Sequence, residues 1–166
     1  RALTLSIAIR LLSALGPITS NVRLGLMVGA NTFRNPGLTA KLATTLDHVS
    51  DGRAVLGIGG AWFEREHDAF GIDFGATVGE RLDRLDEAVM LMRRLLDGER
   101  FSHQGRFYTF EDALCEPRPV QRRLPILVGG SGPRKTLRTV ALRADGGART
   151  RARCASPARP PSLSRR

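Results

Sequence analysis

At 166 residues, 42% apolar and 25% charged, the chain has room for one ordinary globular domain. It holds no apolar run of the roughly 18 residues that a membrane span needs, and two cysteines, Cys115 and Cys154, exclude a disulfide scaffold and fit a reducing cytoplasm. The formal net charge of +10 points first to nucleic acid, but residues 1–145 hold 20 basic and 16 acidic residues, and six arginines with no acid crowd into Gly146–Arg166.

The apolar N-terminus holds Arg10 in its middle and lacks a cleavage-site pattern. It reads as a helix over about Leu3–Leu15 and not as a signal peptide. Val22–Ala30 is a short apolar run ending in glycine, a strand. Asn35-Pro36 then starts a helix, with proline at the first position. Leu38, Leu42, Leu46 and Val49 follow at helical spacing, and Ser50-Asp51-Gly52 stops it. Ala54–Gly60 repeats the apolar run with terminal glycines. Leu82, Leu85, Val89, Met92 and Leu96 mark a second helix, whose Arg81, Asp83, Arg84, Asp86 and Glu87 read as a solvated face. Residues 101–121 break the rhythm. The Gln104-Gly105 turn between short aromatic stretches indicates a small inserted hairpin outside the main sheet. Pro125–Gly130 is the third glycine-ended run, followed by a helix carrying Leu137, Val140, Ala141 and Ala144.

Apolar strands alternating with helices imply an α/β fold with a parallel sheet. The domain reads as residues 1–146. Residues 147–166 read as a disordered Arg/Pro/Ser-rich tail, too poor in apolar side chains to offset the entropy of ordering.

Three parallel strands ending in glycine place three loops on one rim, where α/β proteins bind ligands and helix N-termini offer free N–H groups. Gly129-Gly130-Ser131-Gly132 is the best phosphate cradle and Gly57-Ile58-Gly59-Gly60 the second, although the same glycines also serve as turn residues. Several motifs fail. Arg134 breaks a phosphate-loop Gly-Lys-Thr order, Pro133 breaks a nucleophile elbow, and Trp62 stands where a dinucleotide fingerprint needs glycine. His48, His67 and His103 are scattered, so no metal site is read, and His67 is taken as a loop or rim histidine.

The stretch VRLGLMVGANTFRNPGLTAKLATTLDHVSDGRAVLGIGGAWFEREHDAFGI resembles the luciferase-like monooxygenase superfamily, in particular its coenzyme F420 (deazaflavin)-dependent oxidoreductases. The likeness continues through ERLDRLDEAVMLMRRLL, GRFY, CEPRPVQ and ILVGGSGPRKTLRTVALRADG, covering roughly Leu11–Gly146. It implies part of a TIM (β/α)8 barrel, with Val22–Val28, Ala54–Gly60 and Ile126–Gly130 as strands three to five. It implies F420 across the C-terminal rim, with FMN as the alternative, and hydride transfer to or from a small organic substrate. It puts a bulge with a non-prolyl cis peptide under the cofactor ring at Met27-Val28. It assigns phosphate contacts to Gly60, Ala61, Gly129, Gly130 and Ser131, and a pocket-lining place to Trp62, for which a buried rim aromatic is the alternative. Asn31 and Arg34 join them on the loop after strand three. Catalytic acids or bases are not identified. A homodimer is compatible with the resemblance.

A closed barrel takes about 250 residues. The expectation is therefore a truncated fragment, prone to aggregate through open sheet edges. A product without function and a basic nucleic-acid-binding accessory protein remain the competing readings. The tail's lack of aromatic residues argues against the second.

Overall fold

The computed structural model describes residues 5–130, 132 and 134–148. Residues 149–166 of the expected tail, and Ser131 of the expected cradle, lie outside the described residues. Helix α1 (Leu5–Leu15) leads to β1 (Leu24–Gly25), β2 (Gly29–Ala30), a single 3-10 turn (Asn31–Phe33) and α2 (Pro36–Val49). Then come β3 (Ala54–Gly59), α3 (Glu64–Phe70), α4 (Val78–Leu96), β4 (Phe101–Gln104), β5 (Thr109–Ala113), β6 (Ile126–Gly129), α5 (Lys135–Arg143) and β7 (Gly146–Ala148).

The signals that bound α2 act as the residue types require. Asn35 accepts the Gly37 N–H at 2.7 Å, and Pro36 sits at the first helical position, where its missing N–H costs nothing. At the other end Ser50 Oγ donates to the Leu46 carbonyl at 2.6 Å, and the chain turns through Asp51 and Gly52, both at positive φ.

All pairings in the main sheet are parallel. β1 and β2 both pair with β3, then β6 and β7 follow. Ala54, Leu56, Ile58, Ile126 and Val128 form the core with Ala40, Ala43 and Leu46 of α2 and Leu85, Val89, Met92 and Leu96 of α4. The alternate positions, Val55, Gly57, Gly59, Leu127 and Gly129, point to the opposite face.

The structure corrects the sequence reading in four places. The run Val22–Ala30 is two short strands. Gly25 pairs with Val55 and Gly29 with Ile58, so four steps on one side oppose three on the other, a β-bulge. The expected tail begins too early, because Gly146–Ala148 pairs with β6 as a further parallel strand. Leu38 and Val49 of α2 and Leu137 of α5 are exposed; the small residues Thr39, Ala40, Ala43 and Thr44 on α2, and Thr136 and Thr139 on α5, are buried instead.

The fourth correction concerns the charged face of α4, which is a docking face. Asp83 accepts from Lys135 Nζ at 2.5 Å. Asp86 accepts from Thr139 at 2.7 Å and Arg143 at 3.1 Å, which fixes α5. Glu87 accepts the backbone N–H groups of Phe107 and Tyr108, at 3.2 and 3.0 Å, and lies 3.2 Å from His103, which fixes the β4–β5 hairpin. The hairpin is the small separate sheet expected over 101–121.

Candidate cofactor-binding rim

Parallel register brings the strand ends into one row. Ala30 lies beside Gly59, Gly59 beside Gly129, and Gly129 beside Ala148. One residue further on stand Asn31, Gly60 and Gly130, so sites about 30 and 70 residues apart in the chain share one rim.

The bulge crosses the glycine face of the sheet. A Cβ on Gly57 would fall 1.8 Å from the Leu26 carbonyl oxygen. Cβ atoms on Gly59 and Gly129 would fall 2.9 and 2.4 Å from Val28 Cγ2. These glycines are therefore empty space that the Leu26–Val28 segment fills. The Met27–Val28 peptide is cis. Met27, the middle residue of this segment, is 70% exposed.

The loops beyond the row contain two backbone conformations with positive φ. Ala61 is left-handed at φ 66°, and Gly130 sits at φ 149°, a conformation that side-chain-bearing residues avoid. A Cβ on Gly132 would come within 2.9 Å of Thr136 Oγ1, so α5 packs closely against this glycine. The Gly130 N–H is used by the Ala148 carbonyl at 3.2 Å. Lys135, the lysine next to the cradle, is bound to Gly79 O and Asp83. Trp62 is 75% exposed, so the buried-aromatic alternative does not hold. Its ring lies 5.3 Å from that of Phe63.

Asn31 is only 2% exposed. Its Nδ2 donates to the Tyr108 hydroxyl at 3.0 Å, and its Oδ1 is buried with no partner among the described residues. Burial pushes the Tyr108 phenol above its usual range. Both residues line a polar cleft of about 370 Å3 with Thr32, Arg34, Asp73 and Arg84. The Arg84 guanidinium, hydrogen-bonded to Asp73 at 2.7 Å, holds that carboxyl below its ordinary value.

His67, taken from the sequence as a loop or rim histidine, is a buried helix residue. It lies on α3, is 1% exposed, and contacts both rim loops. The only local signal was a histidine soon after the glycines, which fits many surface helices equally well. Among the described residues no cluster of histidine, cysteine or carboxylate side chains could hold a metal ion, and no helix is long and apolar enough to cross a membrane.

A parallel α/β sheet with helices on one face and a bulged segment across the other is the architecture of part of a barrel. Residues 5–149 match the luciferase-like monooxygenase family, and the chain belongs to it. It is 38% identical over 126 residues to an F420-dependent glucose-6-phosphate dehydrogenase of Microbacterium testaceum, covering 75% of this chain and 37% of that protein. Among solved structures, monooxygenase RslO1 of Streptomyces bottropensis superposes with a TM-score of 0.71 at 30% identity, over 81% of this chain and 40% of that one. The coenzyme F420-dependent tetrahydromethanopterin reductase of Methanopyrus kandleri gives 0.74 at 24% identity, over 86% and 44%. The fold is thus a portion of the TIM barrel shared by these enzymes. The chain spans less than half the length of the curated relatives it matches.

Proposed function

We propose that the rim binds the deazaflavin coenzyme F420, and that the chain forms part of an oxidoreductase moving a hydride between F420 and a small organic substrate. The observation that carries this reading is the row Ala30–Gly59–Gly129–Ala148, with the Val28 bulge packed across its glycines. The similarity to a relative named as F420-dependent supports the choice of cofactor.

The residues present fit such a group. The face left by Gly57, Gly59 and Gly129 is covered by the closely packed Leu26–Val28 segment, which offers a platform for a flat ring at Met27-Val28. Gly60, Ala61, Gly129, Gly130 and Ser131 are the candidates to hold phosphate, since backbone without bulky side chains can approach an anion closely. Asn31 and Trp62, on the loops after β2 and β3, are the further candidates to contact it. When bound, F420 supplies the hydride-carrying carbon, and the protein supplies orientation and exclusion of water. The acid or base acting on the substrate is not assigned to any residue of this chain. The cytoplasm is the compartment this reading implies.

Fluorescence titration with F420 and, separately, with FMN tests the proposal. Saturable F420 binding, with FMN weaker by about tenfold or more, is expected. Tighter FMN binding would transfer the proposal to a flavin-dependent monooxygenase, and no binding of either would end it.

A further inference from the structure

His67 sits between the two loops that carry the candidate cofactor residues. Its Nδ1 is 2.9 Å from the Phe63 carbonyl, and its Nε2 is 2.6 Å from Thr32 Oγ1. A carbonyl can only accept, so Nδ1 carries the proton. Nε2 then pairs with the Thr32 hydroxyl, which can donate or accept, and both nitrogens are satisfied. Phe33 stacks on the ring at 4.4 Å and Phe74 meets it at 4.7 Å, which seals it from water. Thr32 belongs to the turn that contains Asn31, and Phe63 directly follows Trp62.

We infer that His67 is a positioning residue. Held through both ring nitrogens, it locks the Asn31–Phe33 turn to the Gly60–Phe63 loop, and so sets the spacing between the two sides of the rim. The link to cofactor binding rests on the F420 reading; the link between the loops does not. Strand pairing holds β2 and β3 together only as far as Ala30 and Gly59. Beyond that row, the Thr32–His67–Phe63 chain is a side-chain bridge from one loop to the other. A residue that merely filled space would tolerate an isosteric change in its partner, whereas a bridge would not.

Trp62 is the sole tryptophan of the chain, so its emission reports this loop without any cofactor. The test is Trp62 fluorescence anisotropy and F420 affinity in the full chain for T32V, T32S and H67F, with melting followed by circular dichroism. T32V removes the hydroxyl at nearly constant shape and leaves Nε2 buried without a partner. T32S restores the hydroxyl. H67F keeps the aromatic packing and loses both hydrogen bonds. The expected result is a lower anisotropy and about tenfold weaker F420 binding in T32V and H67F, with T32S within about twofold of the parent. Unchanged anisotropy in both T32V and H67F, in folded protein, overturns the inference. If the parent chain binds no F420, the cofactor reading fails while the anisotropy still decides the role of His67.

Discussion

The side chain of Val28 lies over the backbone of Gly129, so closely that a Cβ at position 129 would come within 2.4 Å of Val28 Cγ2. Glycine at 129 and valine at 28 are therefore two halves of one packing arrangement. G129A should destabilise the chain by about 1–3 kcal/mol through overpacking. Adding V28A should return about half of that loss, because the clash is with valine methyls. Urea denaturation of the two single variants and the double variant measures the coupling; strict additivity would contradict it.

Gly57 makes the same point with no flexible partner. Its missing Cβ would stand 1.8 Å from the Leu26 carbonyl oxygen, and main chain cannot rotate away. G57A should yield no cooperatively folded protein, or lose more than about 3 kcal/mol. A near-normal melt would show that the bulge shifts easily and that its close packing on Gly57 is not required.

Glu87 anchors the hairpin through the backbone N–H groups of Phe107 and Tyr108. E87A leaves these donors without their acceptor and should cost about 2–3 kcal/mol, since hydrogen bonds to charged groups are the stronger kind. G105A should weaken the same region, because a Cβ there would fall 2.0 Å from Glu87 Oε1. Amide exchange is the sharper measurement: in both variants the 101–113 amides should exchange faster, while β3 and β6 stay protected.

These positions also mark where reading from sequence stops. Asn35-Pro36 and Ser50-Asp51-Gly52 were legible because caps and turns are local chemistry. The parallel strands were legible as apolar runs with glycine ends. Gly146–Ala148 was not, because two glycines and an alanine carry no periodic signal and pairing with β6 supplies the order. The α4 charges looked like a solvent face because helical spacing records neighbours on one helix, whereas Asp86 and Glu87 find theirs on α5 and the hairpin. The glycine-ended strands did show that their ends lie in one row, because parallel pairing sets that register. The bulge came only from family resemblance, since nothing in LGLMVGA states that one residue is extra. Asn31 was placed on the rim, but its Tyr108 partner, 77 residues away, is a product of the fold.

Acid should weaken the fold through Asp145. Burial alone would raise the pKa of this carboxyl, but the Ile126 N–H at 2.9 Å, Arg123 at 2.7 Å and Arg93 at 2.5 Å outweigh it and hold it below its ordinary value. A folded pKa below the unfolded value of about 3.9 means that the stabilisation is fully present above that pH. It is lost as pH falls through the folded pKa. The stability gap between the parent chain and D145N should be largest near neutral pH and shrink below about pH 4. A gap independent of pH would assign Asp145 a purely steric role.

The central claim is that F420 sits on the glycine rim. Hydrogen–deuterium exchange with and without F420 tests it most directly, because the read-out is local. Peptides covering Met27–Asn31, Gly60–Trp62 and Gly129–Gly132 should gain protection together on adding F420, with the β4–β5 hairpin turn unchanged. Protection confined to the hairpin or the arginine-rich segment, or none at saturating F420, would contradict the account.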